Sequence, residues 1–278
     1  MDCIYCQLGP SPRKTIRRKE LVPVREVLTQ IKAALAEGRR IDCLTFSGSG
    51  EPTLHSGLGK IIAGIKKITT IPVVVLTNSS LLTRPQARRD LLAADIVVPS
   101  LDAATPSVFA KINRPHTNLS AEKIIDGLVR FRDEFKGQIW LEVMLVKGVN
   151  DGPAHIKKLR KAIARIRPDR VQLNTVVRPP AEKSARALTL QDLETIKSAL
   201  GGNTEIIASF KSGVQSPSAR DTAQEILAAV RRRPMTAKDL SAALGTPLEE
   251  VCAYVIRLVH QSRLKERRHH DSAYYEPN

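Results

Sequence analysis

The sequence predicts an α/β fold whose parallel sheet forms a barrel or a doubly wound sheet, followed by a small domain of helices and a hairpin. Short β-branched runs alternate with longer amphipathic segments from Val22 to about Ser209, which is the pattern of βαβ units. Apolar runs such as 71–76 are nearly continuous and indicate strands buried on both faces. We therefore expect one domain over 1–209, a linker over 210–220 and a second domain over 221–278.

Hydrophobic periodicity places the elements of the first domain. Strands are predicted at Ile41–Ser47, Ile71–Thr77, Asp95–Ser100, Gln138–Val146, Arg170–Val176 and Thr204–Ser209. Helices are predicted between them, around Glu26–Glu37, Leu58–Ile68, Pro85–Ala94, Ala121–Phe135, Ala154–Arg167 and Leu190–Leu200.

The second domain has the pattern of a winged helix-turn-helix. Residues 210–220 are rich in Ser, Gly and Pro, and helices are predicted at Asp221–Arg233, at Thr236–Leu244 and from Thr246 to about Gln261. Two short strands with a turn at 270–272 are predicted to follow. The third helix begins with acidic residues that would face phosphates in a DNA groove. Docking of tRNA or a protein, or covering of the barrel, is therefore as plausible a role as DNA binding.

Charge favours an anionic partner. The formal net charge is +16, and residues 156–186 carry ten Lys or Arg against Asp169 and Glu182. This basic stretch is either an RNA contact or a solvated helix face. Since the sequence has no apolar run of about 18 residues and no leader-like start, we expect a cytoplasmic protein without a membrane partner.

The chain begins with "MDCIYCQLG", a CxxC pair formed by Cys3 and Cys6. Four cysteines are too few for a disulfide framework, so the pair is interpreted as iron–sulfur ligands, a thioredoxin-type redox pair or half of a zinc site. Cys43 lies inside a predicted apolar strand and Cys252 on an apolar helix face. Both are predicted to be buried and structural.

A second motif, "SGSGEP", ends the first predicted strand at Ser47–Pro52. Glycines let a backbone approach a ligand closely, and a carboxylate such as Glu51 can offset an ammonium charge. The alternative is a plain turn with a solvated glutamate. Polar clusters also end the later strands, at 76–80, 99–103, 147–151 and 172–180, where turn chemistry alone would account for any single one.

Taken together, these motifs resemble radical S-adenosylmethionine (SAM) enzymes, and more closely the wyosine-forming tRNA enzymes and their bacterial relatives. The resemblance runs from Cys3 to about Ala181 and is carried by "DCIYCQLG", "SGSGEPTL", "SLDA", "INRPH", "LEVMLVKGVND" and "VQLNTVVRPP". It implies a partial (β/α)6 radical SAM barrel without its first strand, and a C-terminal winged-helix-like domain follows it.

The resemblance also implies cofactors and their residues. Cys3 and Cys6 would ligate iron of a 4Fe–4S cluster, and backbone around Lys147–Asn150 would flank the adenine of SAM. The amino-acid part of SAM would lie against Ser47, Gly48, Ser49, Gly50, Glu51 and Pro52. Asn78, Ser100 and Asp102 would lie near its ribose or methionine.

The implied activity is reductive cleavage of SAM to a 5′-deoxyadenosyl radical, with a flavodoxin or ferredoxin type of protein as reductant and tRNA as the substrate to be modified. The motif's first cysteine would lie four residues before Cys3, two residues before Met1, and is absent from this sequence. Lys111 and Lys147 are candidates for a catalytic lysine, or simply solvated charges. The alternative function is a barrel without a cluster that binds nucleic acid or regulates.

Overall fold

The computed structural model describes residues 1–11, 14–38, 40–48, 50–178, 180, 182–208, 222–269 and 272–278. These residues divide into two compact units, the first within Met1–Val176 and Glu182–Ala208 and the second formed by the remainder. The predicted site residue Ser49 and the predicted linker over 210–220 lie outside the described residues. In the part of the chain that is described, no helix is long and apolar enough to cross a membrane.

The first unit is built on a parallel sheet, and its six described strands lie side by side in chain order. The predicted α/β architecture is confirmed, although several strands are shorter than expected. Since neighbouring strands are parallel, their carboxyl ends meet at one edge, where ligands bind in such folds. The strands are β1 Leu44–Phe46, β2 Val73–Thr77, β3 Ile96–Pro99, β4 Gln138–Leu145, β5 Arg170–Thr175 and β6 Thr204–Ile206.

Helices connect these strands, and their apolar faces form the core with the sheet. Phe131 and Phe135, for example, are buried with their ring centroids 4.8 Å apart. The helices are α1 Val24–Ala36, α2 Leu58–Lys66, α3 Pro85–Leu91, α4 Pro106–Asn113, α5 Ala121–Glu134, α6 Pro153–Ile166 and α7 Leu190–Leu200, with a short 3-10 helix at Pro52–Leu54.

Helix α4 is absent from the sequence-based prediction. Its start nevertheless carries recognisable signals, because the Thr105 hydroxyl accepts a hydrogen bond from Val108 N and Pro106 occupies the first position. It ends at Asn113, and the next residue, Arg114, has a φ of 41° and lies in the left-handed region. The helix is only eight residues long, so few turns display its apolar face.

The first strand differs from its prediction. β1 spans Leu44–Phe46, and Cys43 lies just before it and is exposed, so the prediction of a buried Cys43 was wrong. Within the described sheet, β1 lies at an edge and pairs with β2 only. A residue before an edge strand is not covered by a neighbouring strand on its other side.

The second unit combines helices with an antiparallel sheet of strand order β7-β9-β8. The predicted helices and hairpin strands are present, whereas β7 was missed, and the turn residues 270–271 lie outside the described part of the chain. Cys252 is half-buried on α10. Assignment as a winged helix stays a prediction. The elements are α8 Thr222–Arg232, β7 Met235–Thr236, α9 Ala237–Leu244, α10 Leu248–His260, β8 Leu264–His269 and β9 Ser272–Pro277.

Candidate functional site

The Glu51 carboxylate fixes the loop after β1 to the end of β2. Glu51 Oε1 accepts hydrogen bonds from Thr53 N at 3.1 Å, Thr53 Oγ1 at 2.6 Å and Thr77 Oγ1 at 2.5 Å. Glu51 Oε2 accepts one from Asn78 N at 2.7 Å. A carboxylate offers about four acceptor positions, divided between its two oxygens. Oε2 therefore has room for a further donor, such as an ammonium group.

The short helix that follows Glu51 is held from its other side by Arg18. The Arg18 guanidinium donates to Thr53 O at 2.8 Å and to His55 O at 3.1 Å, and it forms an ion pair with Asp90. Thr53 is fully buried between these partners. The position of Glu51 is thus set by protein contacts before any ligand binds.

The glycine-rich part of the same loop faces open space. Ser47, Gly48 and Gly50 are exposed, and Pro52 begins the short helix. A Cβ placed on Gly50 would meet nothing within 4 Å among the described residues. Peptide groups on an uncovered glycine loop are accessible to a ligand at close range.

Asn78 and Ser100 follow β2 and β3 and line one small cavity together with Met1, Tyr5 and Asp102. Asn78 Oδ1 accepts a hydrogen bond from Ser80 N at 3.0 Å, and Ser100 N donates to Thr77 O at 2.9 Å. The structure therefore brings the cysteine loop to the strand ends that carry the predicted SAM residues. Their binding roles stay predictions.

The cysteine loop is attached to the end of α4. Asp2 N donates to Asn113 O and Ile4 N donates to Ile112 O, both at 3.0 Å, and the Ile4 side chain is buried in the core. Within the loop, Cys6 N donates to Cys3 O at 3.0 Å. The loop is therefore a tight turn held against the helix.

Asp102 connects this loop to the sheet. Its Oδ2 accepts hydrogen bonds from Tyr5 Oη and from Asn113 Nδ2, each at 2.6 Å, and its Oδ1 accepts one from Met144 N at 3.0 Å. Burial raises the pKa of Asp102, although these hydrogen bonds oppose the shift. The pKa of Tyr5 is raised well above its usual value, by burial first and by the Asp102 charge second. Both oxygens of the Asp102 side chain thus accept hydrogen bonds from other groups of the protein.

Cys3 is a protonated thiol at neutral pH when no metal is bound. Burial and the nearby Asp102 carboxylate raise the pKa of the Cys3 thiol to about 11, while a hydrogen bond from Asn113 opposes them. A metal that binds Cys3 must therefore displace this proton.

The donors present fit part of an iron–sulfur site. Cys3 and Cys6 are free thiols, and thiolates are the ligands that iron–sulfur clusters prefer. Over the described ranges, no group of three or more Cys, His, Asp or Glu is placed to hold a metal ion. The described residues thus supply two thiols at this place and do not by themselves complete a cluster site, and the role of Cys3 and Cys6 as iron ligands stays a prediction.

The two lysine candidates have partners near the sheet edge. Lys111 Nζ donates to Gly148 O at 3.4 Å, and Lys147 Nζ lies 3.6 Å from the Asp192 carboxylate. In the predicted adenine loop, Asn150 is buried and its side-chain amide donates to Asp102 O at 2.9 Å. Both lysines are exposed, and a catalytic role for either stays a prediction.

Two residues of this network were not among the sequence-based candidates. Tyr5 lies between the two cysteines, and Asn113 belongs to the "INRPH" motif. The motif did not indicate the contact between Asn113 and Cys3, because Cys3 precedes Asn113 by 110 residues. Only the fold brings them together.

Comparison with other proteins places this chain in a family. The Radical SAM superfamily model matches residues 1–163. The chain is 36% identical over 268 residues to a protein named GTPase Obg of Brachyspira hyodysenteriae, which covers 95% of this chain and 39% of that protein. This chain therefore spans less than two thirds of that relative's length. Its sequence contains no GxxxxGK[ST] motif, the phosphate-binding loop of nucleoside triphosphatases.

UPF0026 proteins are further relatives. The protein MJ1312 of Methanocaldococcus jannaschii is 34% identical over 212 residues, covering 76% of this chain and 65% of that protein. A UPF0026 protein of Helicobacter pylori is 32% identical over 250 residues, covering 86% of this chain and 77% of that protein.

Solved structures share the fold. A radical SAM methyltransferase from Sphaerobacter thermophilus has a TM-score of 0.56 at 17% identity, covering 75% of this chain and 62% of that one. SuiB of Streptococcus suis also has a TM-score of 0.56, at 14% identity, covering 75% of this chain and 46% of that one. The resemblance to wyosine-forming enzymes receives no support from these matches. By the extent of its matches, the chain belongs to the radical SAM superfamily and is a UPF0026 protein.

Proposed function

We propose that this protein takes part in the reductive cleavage of SAM to methionine and a 5′-deoxyadenosyl radical, with tRNA as the substrate that is modified. The observation that carries the proposal is the meeting of two motif loops at Asn78. Its backbone N–H donates to Glu51 of the glycine loop, and Asn78 lines a cavity together with Tyr5 of the cysteine loop. That the two loops meet at one edge of the sheet supports the proposal.

The chain's own residues would divide the work of binding. Cys3 and Cys6 would hold iron as thiolates, and the cluster would supply the electron that SAM cleavage requires. Peptide groups of Gly48 and Gly50 would approach the amino-acid part of SAM. Glu51 Oε2 would accept a hydrogen bond from its ammonium group, since that oxygen has room for a further donor.

An electron donor of flavodoxin or ferredoxin type and a tRNA substrate complete the proposal. Charge supports the tRNA: the formal net charge is +16, and on α6 the exposed Lys157, Lys158 and Lys161 have no ion pair among the described residues. By contrast, Arg165 of the same helix and Arg167, which follows the helix end, are paired with carboxylates. Unpaired lysines are the groups that neutralise phosphates.

The direct test uses the chain reconstituted anaerobically with iron and sulfide. We expect bound iron and, after SAM and dithionite are added, release of 5′-deoxyadenosine detected by mass spectrometry. The Cys3→Ala/Cys6→Ala variant should lose both signals. The matched control is Cys43→Ala, because Cys43 is exposed before β1 and should be dispensable. An intact cluster without 5′-deoxyadenosine would contradict the proposal.

The substrate proposal has a separate test. The triple variant Lys157→Ala/Lys158→Ala/Lys161→Ala should bind tRNA more weakly and with a smaller salt slope than the wild type in filter binding. Arg167→Ala, whose charge is paired with Asp133, is the control and should change little. Salt-dependent tRNA binding by protein that holds no iron would instead favour the cluster-free nucleic-acid-binding alternative.

A further inference from the structure

We infer that Arg178 and Arg233 of the second unit form a binding site for phosphate groups of a nucleic-acid backbone. The inference goes beyond the proposed function, because it concerns a surface other than α6 and requires neither iron nor SAM. Arg178 lies in the segment Val177–Ala181, which belongs to the second unit although it precedes the rest of that unit in the chain.

The segment around Arg178 is attached to one face of the antiparallel sheet β7-β9-β8. Tyr274 Oη donates to Val177 O at 2.6 Å, and the Arg267 guanidinium donates to Pro180 O at 3.3 Å. Arg267 and Tyr274 are cross-strand partners in β8 and β9, so their side chains lie on the same face of the sheet. The backbone of Arg178 is thus held between two attached residues.

Arg233 is brought to the same place by the strand that follows it. It lies two residues before β7, in which Thr236 pairs with Tyr274 of β9. Partial burial lowers the pKa of the Arg233 guanidinium first, the Arg178 charge lowers it further, and the Asp239 carboxylate opposes the shift. Burial raises the pKa of Tyr274, Asp239 raises it further, and Arg178 opposes that shift. The two arginines and Asp239 therefore lie around one place beside Tyr274.

This group of side chains has an excess of positive charge. The Asp239 carboxylate is partly occupied, since its Oδ2 accepts the N–H of Thr236 at 3.2 Å in the capping box of α9. Two guanidinium groups held close to each other repel, and an anion between them would remove that repulsion. Phosphate oxygens are the acceptors that the planar fork of a guanidinium binds in a bidentate manner. A phosphate group is therefore the ligand that this pair fits.

Neighbouring arginines make the surface suited to a polymer of phosphates. Arg231 and Arg232, in the last turn of α8, are exposed and form no ion pair among the described residues. The helix dipole alone would favour positive charge there, but it gives no reason for Arg178 to lie beside Arg233. A small anion would occupy only that pair, whereas successive phosphates of a nucleic acid can contact further arginines. By contrast, α10 begins with two exposed glutamates, which would repel phosphates.

The first test measures binding of a fluorescein-labelled tRNA transcript to the full chain as purified, by fluorescence anisotropy at several salt concentrations. Arg178→Gln/Arg233→Gln should raise the dissociation constant about tenfold and reduce the salt slope by about 2, because two phosphate contacts are lost. The matched control is Arg25→Gln/Arg130→Gln, which removes two charges from exposed positions on α1 and α5. Equal losses in both double variants would show that only net charge matters and would overturn the inference.

A second measurement separates a binding role from a structural one. Because like charges repel, Arg233→Gln should leave the thermal unfolding midpoint of the free chain unchanged or raise it. A clearly lower midpoint would identify Arg233 as a structural residue and refute the inference. Arg178→Lys/Arg233→Lys keeps both charges and should retain most of the affinity for tRNA, which excludes misfolding as the cause of the loss in the glutamine variant.

Inorganic phosphate distinguishes a nucleic-acid backbone from a small ligand. In calorimetric titration, we expect inorganic phosphate to bind far more weakly than tRNA, since it makes one contact where the polymer makes several. Tight binding of inorganic phosphate, with tRNA affinity unaffected by the arginine variants, would assign the site to a small phosphate ligand and contradict the inference. Loss of tRNA binding in the α6 triple-lysine variant alone would also overturn it and leave the proposed substrate intact. Absence of SAM cleavage would count against the proposed function alone.

Discussion

Glu51 and Asn78 join neighbouring strand ends, because Glu51 Oε2 accepts the backbone N–H of Asn78 at 2.7 Å. One carboxylate thus links the glycine loop after β1 to the residue that lines the cavity beside the cysteine loop. Since Thr53 and Thr77 occupy the other oxygen, the link is already made without a ligand. Binding of an ammonium group there would cost little rearrangement.

Glu51→Gln should weaken SAM binding and lower stability. A glutamine has a single acceptor oxygen, so either Asn78 N or the threonine donors lose their partner, at a cost of about 1–2 kcal/mol. We expect the dissociation constant for SAM to rise about tenfold in calorimetric titration. Glu194→Gln on the exposed face of α7 makes the same change away from the site and should bind as wild type. Normal SAM affinity in Glu51→Gln would contradict the assigned role.

Arg88 should be required for the stability of the first unit. It is buried on α3. Its guanidinium donates hydrogen bonds to both Glu134 carboxylate oxygens at 3.0 Å and to Leu82 O at 2.9 Å. Arg88→Leu leaves these acceptors unpaired, and we expect a loss of about 2–4 kcal/mol in the free energy of unfolding, measured with urea. Arg88→Lys should recover only part of it, because an ammonium cannot reproduce the planar fork.

The neighbouring Arg89→Leu is the matched control for Arg88, since Arg89 is exposed on the same helix. We expect it to change the free energy of unfolding by less than about 0.5 kcal/mol. Equal losses in Arg88→Leu and Arg89→Leu would show that the buried hydrogen bonds contribute nothing specific.

Sequence patterns could predict the sheet because its strands are apolar runs bounded by polar residues, as in 71–77 and 138–146. They could also single out Cys3, Cys6 and Glu51, since each lies in a short motif. They could not predict the hydrogen bond from Asn113 to the Cys3 sulfur. Asn113 lies 110 residues away along the chain, on a helix too short to display periodicity, and nothing local indicates that partner.

The exposure of Cys43 illustrates a second limit. Its apolar neighbours in 41–46 are typical of a buried strand, but burial depends on which strands lie on either side. In the described sheet, β1 pairs with β2 alone. Edge position is a property of the topology, and a strand's own sequence does not encode it.

Gly127 should be intolerant of alanine although it lies inside α5. A Cβ there would be 2.8 Å from Leu82 C and Thr83 N, which are backbone atoms that cannot move aside alone. The gain of about 1 kcal/mol in helix propensity should therefore be outweighed by an overpacking cost of about 1–3 kcal/mol. Urea unfolding of Gly127→Ala should show a net loss of stability.

Gly64→Ala in α2 is the control for Gly127. The three atoms nearest to its Cβ would all belong to the Leu28 side chain, the closest being a terminal methyl carbon at 2.7 Å, and that side chain can rotate away. We expect Gly64→Ala to be clearly less destabilising than Gly127→Ala. Equal effects of the two substitutions would mean that backbone contact with 82–83 does not limit the approach of α5.

Asp95 should make the free energy of unfolding depend on pH in the acidic range. Partial burial works against ionisation, but hydrogen bonds from Lys66 Nζ and from Val73 N, at 2.7 Å, outweigh it and hold the pKa of Asp95 below its usual 3.8. A carboxyl with a lower pKa in the folded state stabilises the fold above its unfolded-state pKa, and this contribution is lost as pH falls through the folded-state pKa.

Asp95→Asn should therefore lower the urea midpoint at pH 7, whereas wild type and variant should converge as the pH falls below 3.8. Asp42→Asn, in an exposed pair with Arg40, is the control and should leave the midpoint unchanged at both pH values. A deficit in Asp95→Asn that persists undiminished in acid would show that its charge is not the cause.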